Sequence, residues 1–269
     1  RARQCLPLSQ FTTNPASVPW NRYEVIVFGS DIIWNFADPR LGSDPVYFGV
    51  LPGGFRGRRI AYAPSIGRVP AEVDVPDWVE KGLTQFDFIS VRDRNTQRFV
   101  ERAVGKTPPI VVDPTWLSRS DLDMPVVLKA KLPDRFLLVY ALAMSVDYVR
   151  AVKQFAANQR LKTLAVGYPH AWCDANWPSV GPFEWVQLLR RAAFVITGTF
   201  HGALYAIREG SQFCVVPHPA VDLKLATPLT SVGLSDRQLS SPENLERVLE
   251  TPLDRTRVDQ QLRETVAAS

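Results

Sequence analysis

The sequence predicts an α/β protein built from parallel sheets and divided into two units. Short apolar runs alternate with amphipathic stretches along nearly the whole chain, an order that is typical of parallel β-sheets. A polar, proline-bearing stretch interrupts the alternation between Leu117 and Asp134, and we interpret it as a linker. A chain of 269 residues suits two domains of this kind. We therefore place the domains at residues 1–128 and 129–269.

Four short apolar runs lie in the first half, and each ends in small or polar residues. Such runs are typical of strands that are buried on both faces of a parallel sheet. Helical spacing of apolar residues follows the second and third runs. The predicted strands are residues 23–28, 59–63, 88–91 and 110–112, and the predicted helices are residues 77–86 and 94–104.

The second half repeats the same alternation. Its predicted strands are residues 136–141, 161–166, 194–197 and 212–216, and its predicted helices are residues 146–158, 183–192 and 203–209. Residues 167–182 are rich in proline and tryptophan, which favours a loop. Residues 242–268 contain at least one long helix by the spacing of their leucines and valines.

Composition excludes several classes of protein. The net charge is only +4, and no basic stripe is interleaved with aromatic residues, so nucleic acid is not an expected partner. No apolar run approaches the roughly 18 residues that span a bilayer. The three cysteines are far apart, which fits a reducing cytoplasm and favours neither disulfides nor a structural zinc site. The chain begins at Arg1 rather than at methionine, so we expect further residues upstream.

In open α/β sheets, ligands bind beyond the carboxyl ends of the strands, so the segments that follow the strands are the candidate sites. In the first half these segments supply Gly29, Asp31, Ser65, Arg68 and Arg92. Glycine lets backbone N–H groups approach a ligand, and arginine holds carboxylates or phosphates by paired hydrogen bonds. Asp31 has two interpretations: it binds a hydroxyl or accepts its proton, or it caps the next helix.

The strongest local pattern in the second half is the apolar strand 194–197, which is followed directly by Thr199, His201 and Gly202 and then by a helix. A helix N-terminus attracts anions, and a histidine there can donate to an anion or transfer a proton. Glu184, in the first turn of the preceding helix, either faces the site or only favours the helix dipole. We interpret Asp113, which precedes a proline, as a residue that fixes a turn.

Six segments in order, covering about residues 23–235, carry a resemblance to a known family. The sequence resembles the polysaccharide pyruvyl transferase family in VFGSDIIWN (27–35), IAYAPSIGR (60–68), FDFISVRDRN (86–95), VVDPTWL (111–117), PFEWVQLLRRAAFVITGTFHGALYAI (182–207) and KLATPLTSVGL (224–234). Some family members carry an arginine two residues before the histidine, where this chain has Thr199.

The resemblance implies two Rossmann-like domains in a GT-B-like arrangement with an interdomain cleft. It also implies phosphoenolpyruvate (PEP) as co-substrate and a sugar or glycan as acceptor, free or lipid-linked, with no metal or other cofactor. Asp31, Arg92 and His201 carry over as site residues. In this scheme His201 is the general acid or a phosphate ligand, Asp31 is the base, and Arg68 and Arg92 hold the anionic groups of PEP.

The predicted function is therefore PEP-dependent formation of a pyruvate ketal on a cell-surface glycan or glycoconjugate. We expect this transferase in the cytoplasm, peripherally at the inner face of the membrane. One alternative is a GT-B glycosyltransferase that uses a nucleotide sugar, because a fold does not determine a function. Another alternative is a family member that is non-catalytic or that uses a small-molecule acceptor.

Overall fold

The computed structural model describes residues 14–38, 44–117, 132–219 and 221–269. It shows an α/β protein with parallel sheets, which confirms the predicted fold class. The chain divides into two compact units, Arg1–Val111 and Val112–Ser269. The boundary predicted between residues 128 and 129 lies outside the described residues. The GT-B-like arrangement stays a prediction.

The first unit contains a parallel three-stranded sheet in the order β1-β2-β3. The predicted fourth strand is wrong, because only a single bridge joins Val91 to Ile110. Pro108 and Pro109 precede that bridge and lack the N–H groups that a longer ladder needs. The elements are β1 (Val25–Phe28), β2 (Arg58–Ala61), β3 (Phe88–Ile89), α1 (Asp77–Leu83) and α2 (Arg94–Val104).

One face of this sheet is exposed, which corrects the prediction that its strands are buried on both faces. Val27 on β1 is 60% exposed, and Phe88 on β3 is 53% exposed. Both residues align with Ile60 of β2 in one row across the sheet. The opposite face of β1 places Ile26 and Phe28 against the apolar core of this unit. An apolar run in the sequence does not distinguish one covered face from two.

The second unit contains a parallel five-stranded sheet in the order β6-β5-β4-β7-β8. Its strands are β4 (Phe136–Tyr140), β5 (Lys162–Val166), β6 (Ala175–Trp177), β7 (Phe194–Thr197) and β8 (Phe213–Val215). Strand β6 lies within the stretch predicted to be a loop. It is a three-residue edge strand with an exposed asparagine at its centre, so it lacks the apolar run that marks the other strands.

The helices of the second unit include two that were not predicted, α3 and α7. Helix α7 contains Pro228, which in a sequence argues against a helix interior. Residues 242–268 hold two helices, which agrees with the prediction of at least one long helix there. The helices are α3 (Pro114–Leu117), α4 (Val146–Asn158), α5 (Pro182–Arg191), α6 (Phe200–Glu209), α7 (Asp222–Ser231), α8 (Leu245–Glu250) and α9 (Arg255–Ala267). None of the helices in the described ranges is both long and apolar enough to cross a membrane.

The order of the five strands creates a topological switch point between β4 and β7. From β4 the chain adds β5 and then β6 on one side, and it returns to place β7 and β8 on the other side. The loops that leave β4 and β7 therefore diverge to opposite sides and open a crevice at their carboxyl ends. Ligands of doubly wound sheets bind at such points.

Candidate functional site

Hydrogen bonds join the ends of β4 and β7 at the switch point. The Thr197 hydroxyl, at the end of β7, donates to the carbonyl oxygen of Tyr140, at the end of β4, over 2.9 Å. The same hydroxyl accepts from the backbone N–H of Thr199 over 3.1 Å. The residues that lead into α6 are thereby fixed against the strand that the crevice borders.

Helix α6 begins at this point, three residues earlier than predicted, so that His201 lies in its first turn. Thr199 is the N-cap, and its hydroxyl accepts from the backbone N–H of Gly202 over 3.0 Å. A Cβ atom on Gly202 would lie 2.1 Å from Thr197 Oγ1 and 2.9 Å from Tyr140 Cδ1. Gly202 is thus required for close packing of the helix start, which presents a partial positive charge.

A buried carboxylate stands beside the His201 ring. Asp113 Oδ2 lies 3.8 Å from His201 Nε2, and the two side chains are 3% and 44% exposed. Asp113 Oδ1 accepts from the backbone N–H of Thr115 over 3.0 Å. The predicted turn-fixing role involves Oδ1, whereas the approach of Oδ2 to His201 was not predicted. Asp113 follows an apolar run directly, which is the same signal that selected Asp31.

Positive charge and aromatic rings surround this end of the sheet. The ammonium of the largely buried Lys224 lies 6.0 Å from the centre of the Phe200 ring, the first residue of α6. The Tyr140 ring lies 5.4 Å from Tyr168 and 5.0 Å from Trp185, between ring centres. Burial, reinforced by Tyr168, raises the pKa of Tyr140 to about 12. The Tyr140 phenol is therefore neutral at ordinary pH.

In the first unit, the loops after the three strands are joined by hydrogen bonds. The Asp31 carbonyl oxygen accepts from the backbone N–H of Ser65 over 2.8 Å, and the backbone N–H of Arg92 donates to Pro64 over 3.3 Å. Arg92 Nη2 lies 3.5 Å from Asp31 Oδ1, with side chains that are 3% and 63% exposed. Gly29 adopts φ +124°, and a Cβ there would lie 2.1 Å from the Tyr62 carbonyl oxygen.

Three other predicted site residues have surroundings that differ from one another. The buried Ser65 hydroxyl donates to Asp93 Oδ2 over 2.7 Å and accepts from a backbone N–H over 2.9 Å, so it fixes the loop. Glu184 accepts from the N–H of Gly181 over 2.6 Å at the start of α5, where it caps the helix. Arg68 is exposed. No group of three His, Cys, Asp or Glu within the described ranges is arranged to hold a metal ion.

The predicted site residues thus form two groups. Gly29, Asp31, Ser65 and Arg92 lie together on the first unit. Thr199, His201 and Gly202 lie together on the second, joined there by Asp113.

Comparison with known proteins identifies the family. The family model described as polysaccharide pyruvyl transferase matches residues 3–218. No curated protein matches the chain. Among solved structures, the chain is similar to the ADP-heptose lps heptosyltransferase II of E. coli, at 12% sequence identity and a TM-score of 0.34, with 91% of this chain and 77% of that chain covered. The family match spans most of the chain and includes both groups of site residues. The chain therefore belongs to the polysaccharide pyruvyl transferase family.

Proposed function

We propose that this transferase moves the three-carbon group of PEP onto two hydroxyls of a sugar and so forms a pyruvate ketal. The observation that carries the proposal is the switch point of the second sheet. There His201 stands in the first turn of α6 beside the buried Asp113 carboxylate. Family membership supports pyruvyl transfer to a polysaccharide. PEP as the donor is our inference from the anion-attracting helix start and the proton-donating side chain.

The reaction forms one C–H and two C–O bonds to the former enol group, and it breaks the C=C π bond and the C–O bond to phosphate. A proton adds to the methylene carbon of PEP, and positive charge develops at the neighbouring carbon. One sugar hydroxyl adds at that carbon, phosphate leaves with its bridging oxygen, and a second hydroxyl closes the ketal. The two hydroxyl protons balance the new methyl hydrogen and the proton on the departing phosphate, so no oxidant or reductant is needed.

On the second unit, we propose that His201 acts on the donor, PEP. Its ring protonates the methylene carbon or binds the leaving phosphate, and the start of α6 favours the anionic groups. Thr199 contributes no charge there, and its hydroxyl is engaged as the N-cap. Gly202 allows the helix to begin close against the end of β4, and its role is therefore to hold this geometry.

On the first unit, we propose that Arg92 binds an anionic group of PEP and that Asp31 acts as the base. The Arg92 guanidinium is buried and close to the Asp31 carboxylate, so its orientation is restrained. A guanidinium recognises carboxylate or phosphate oxygens through two parallel hydrogen bonds. The exposed Asp31 carboxylate accepts the proton of an attacking hydroxyl, and the exposed Arg68 adds positive charge. Ser65 and Gly29 hold the local backbone rather than the substrate, and Glu184 does the same on the second unit.

Replacing Arg92 by lysine is expected to raise the KM for PEP about tenfold or more, because an ammonium cannot make paired hydrogen bonds in a fixed plane. Initial rates over a PEP titration measure the effect. Arg98→Lys is the matched control, since Arg98 is exposed on α2 of the same unit. Equal KM values in the two variants would remove Arg92 from donor binding.

The acceptor we propose is a cell-surface glycan or its precursor, either free or lipid-linked. Aromatic side chains often stack on sugar rings, and Tyr140, Tyr168 and Trp185 line the switch point with rings of this kind. We propose accordingly that the enzyme acts in the cytoplasm, peripherally at the inner face of the membrane.

The proposed function is tested by incubating the purified chain with PEP and a panel of free and lipid-linked sugars in deuterium oxide. We expect phosphate release that depends on a sugar, and a ketal whose methyl group carries one deuterium from solvent. Nucleotide sugars in place of PEP are the control donors. Transfer of a sugar from a nucleotide sugar, with no ketal from PEP, would show a glycosyltransferase instead.

A further inference from the structure

The segment that carries Asp113 is held against α6 by two contacts besides the one with His201. Trp116 Nε1 donates to the Leu204 carbonyl oxygen over 3.1 Å in a buried position. Arg208 Nη1 donates to the Thr115 carbonyl oxygen over 2.9 Å. The segment that runs from Asp113 into α3 therefore follows α6 over two turns.

The three contact positions on α6 lie on one face of that helix. His201, Leu204 and Arg208 are spaced by three and four residues, the spacing of neighbours along a helix surface. The carboxylate reaches the imidazole because two other positions on the same face fix the segment. Asp113 is also held from its own side, since Oδ1 accepts from the N–H of Thr115. Its other oxygen, Oδ2, faces Nε2.

We propose that Asp113 is a positioning residue, which keeps a proton on Nε2 of His201 and so presents Nδ1 to the bound donor. A carboxylate only accepts hydrogen bonds, so it favours the ring form that carries hydrogen on the facing nitrogen. The distance of 3.8 Å is within ion-pair range and longer than a hydrogen bond. The proposal therefore requires the ring to turn toward the carboxylate when the donor binds, as catalytic contacts often tighten in the substrate complex. Nδ1 is then the atom through which a proton passes to PEP, a step that rests on the proposed function.

Asparagine at position 113 reverses this preference without removing the turn. Its amide oxygen can replace Oδ1 as the acceptor for Thr115, which leaves the amide NH₂ facing Nε2. An NH₂ group donates, so it favours the neutral ring that carries hydrogen on Nδ1 and none on Nε2. When the imidazolium gives its Nδ1 proton to PEP, the ring that remains carries hydrogen on Nε2, which is the form that Asp113 favours and that Asp113→Asn disfavours. The same substitution in a buried Asp–His pair is known to inactivate an enzyme.

The test is nuclear magnetic resonance of the full chain with ¹⁵N-labelled histidine, in buffer made alkaline until the ¹⁵N shifts no longer change with pH. The chain has only three histidines, so His201→Gln assigns the resonances of His201, and His170 and His218 serve as internal controls. We expect hydrogen on Nε2 of His201 in the wild type and a shift toward Nδ1 in Asp113→Asn. A wild-type ring with hydrogen on Nδ1 would overturn the proposal, and so would identical His201 spectra in the two proteins. The wild-type spectrum decides the matter even if the variant does not fold.

Kinetics supply the second arm of the test. Asp113→Asn is expected to lower kcat at least tenfold while the KM for PEP stays within about twofold, and Asp113→Glu is expected to recover part of the loss. In a His201→Gln background, Asp113→Asn is expected to cause no further loss, because the carboxylate acts through the ring. If Asp113→Asn lowered kcat by the same factor in the wild-type and His201→Gln backgrounds, the proposal would be contradicted. Absence of any turnover by the wild type would instead refute the proposed function, while the spectra still report on Asp113.

Discussion

Replacing His201 by glutamine is expected to lower kcat for PEP-dependent pyruvyl transfer by about 10²–10⁴-fold, the usual contribution of a general acid or base. Glutamine retains an N–H donor and a similar length, but it cannot give up a proton near neutral pH. If the ring acts as the acid, the KM for PEP changes little. If the ring only binds phosphate, the KM rises and kcat falls less. Steady-state kinetics over a PEP titration separate these two cases.

The matched control for this variant is His170→Gln. His170 lies in the same unit, and its Nε2 is 2.9 Å from the carbonyl oxygen of Ala141, just beyond β4. That contact can be kept by a glutamine amide, so we expect nearly wild-type activity. A His201→Gln protein that turns over as fast as His170→Gln would remove His201 from the chemistry.

The second large effect is expected for Gly202→Ala. The added Cβ would lie within 2.1 Å of Thr197 Oγ1 and 2.6 Å of Thr199 Oγ1, so the start of α6 must move away from β4. Overpacking of this kind costs about 1–3 kcal/mol of stability. A shift of about 1 Å at a reacting group can cost about 10²-fold in rate, and we expect a loss of that size in kcat/KM. Thermal denaturation and initial rates measure the two effects.

Gly181→Ala makes the same substitution at the start of a neighbouring helix. There the added Cβ would meet Glu184 Oε2 at 3.1 Å, and that flexible carboxylate can move aside. We expect a small stability change and little loss of activity. Similar losses in both alanine variants would mean that the effect of Gly202→Ala is a general cost of replacing glycine, not a disturbance of the switch point.

Much of the fold was predictable because apolar runs and turn residues mark buried strands directly. The parallel strands around β4 and β7 came from this signal, and so did the position of His201 beyond β7. Strand β6 and helix α7 were not predictable in this way. One is a short edge strand with a polar centre, and the other carries an internal proline that tertiary packing overrides.

The sequence predicted which segments lie at the strand ends, but it did not predict the partners of their individual side-chain atoms. Ser65 and Glu184 have the residue types of ligand-binding groups, yet their oxygens are engaged by nearby partners. Asp113 shows the opposite case, since its turn-forming role was evident and its approach to His201 was not. That approach depends on packing between residues 88 positions apart, which local sequence patterns do not encode.

PEP as the donor is tested most directly by the thermal stability of the wild-type chain with PEP, compared with inorganic phosphate and with nucleotide sugars. A ligand at about 100 times its Kd adds about 2.7 kcal/mol to the free energy of unfolding, which is readily detected. We predict that PEP stabilises the chain well beyond inorganic phosphate and that nucleotide sugars do not. Stabilisation by a nucleotide sugar, with no response to PEP, would contradict PEP as the donor and favour a glycosyltransferase.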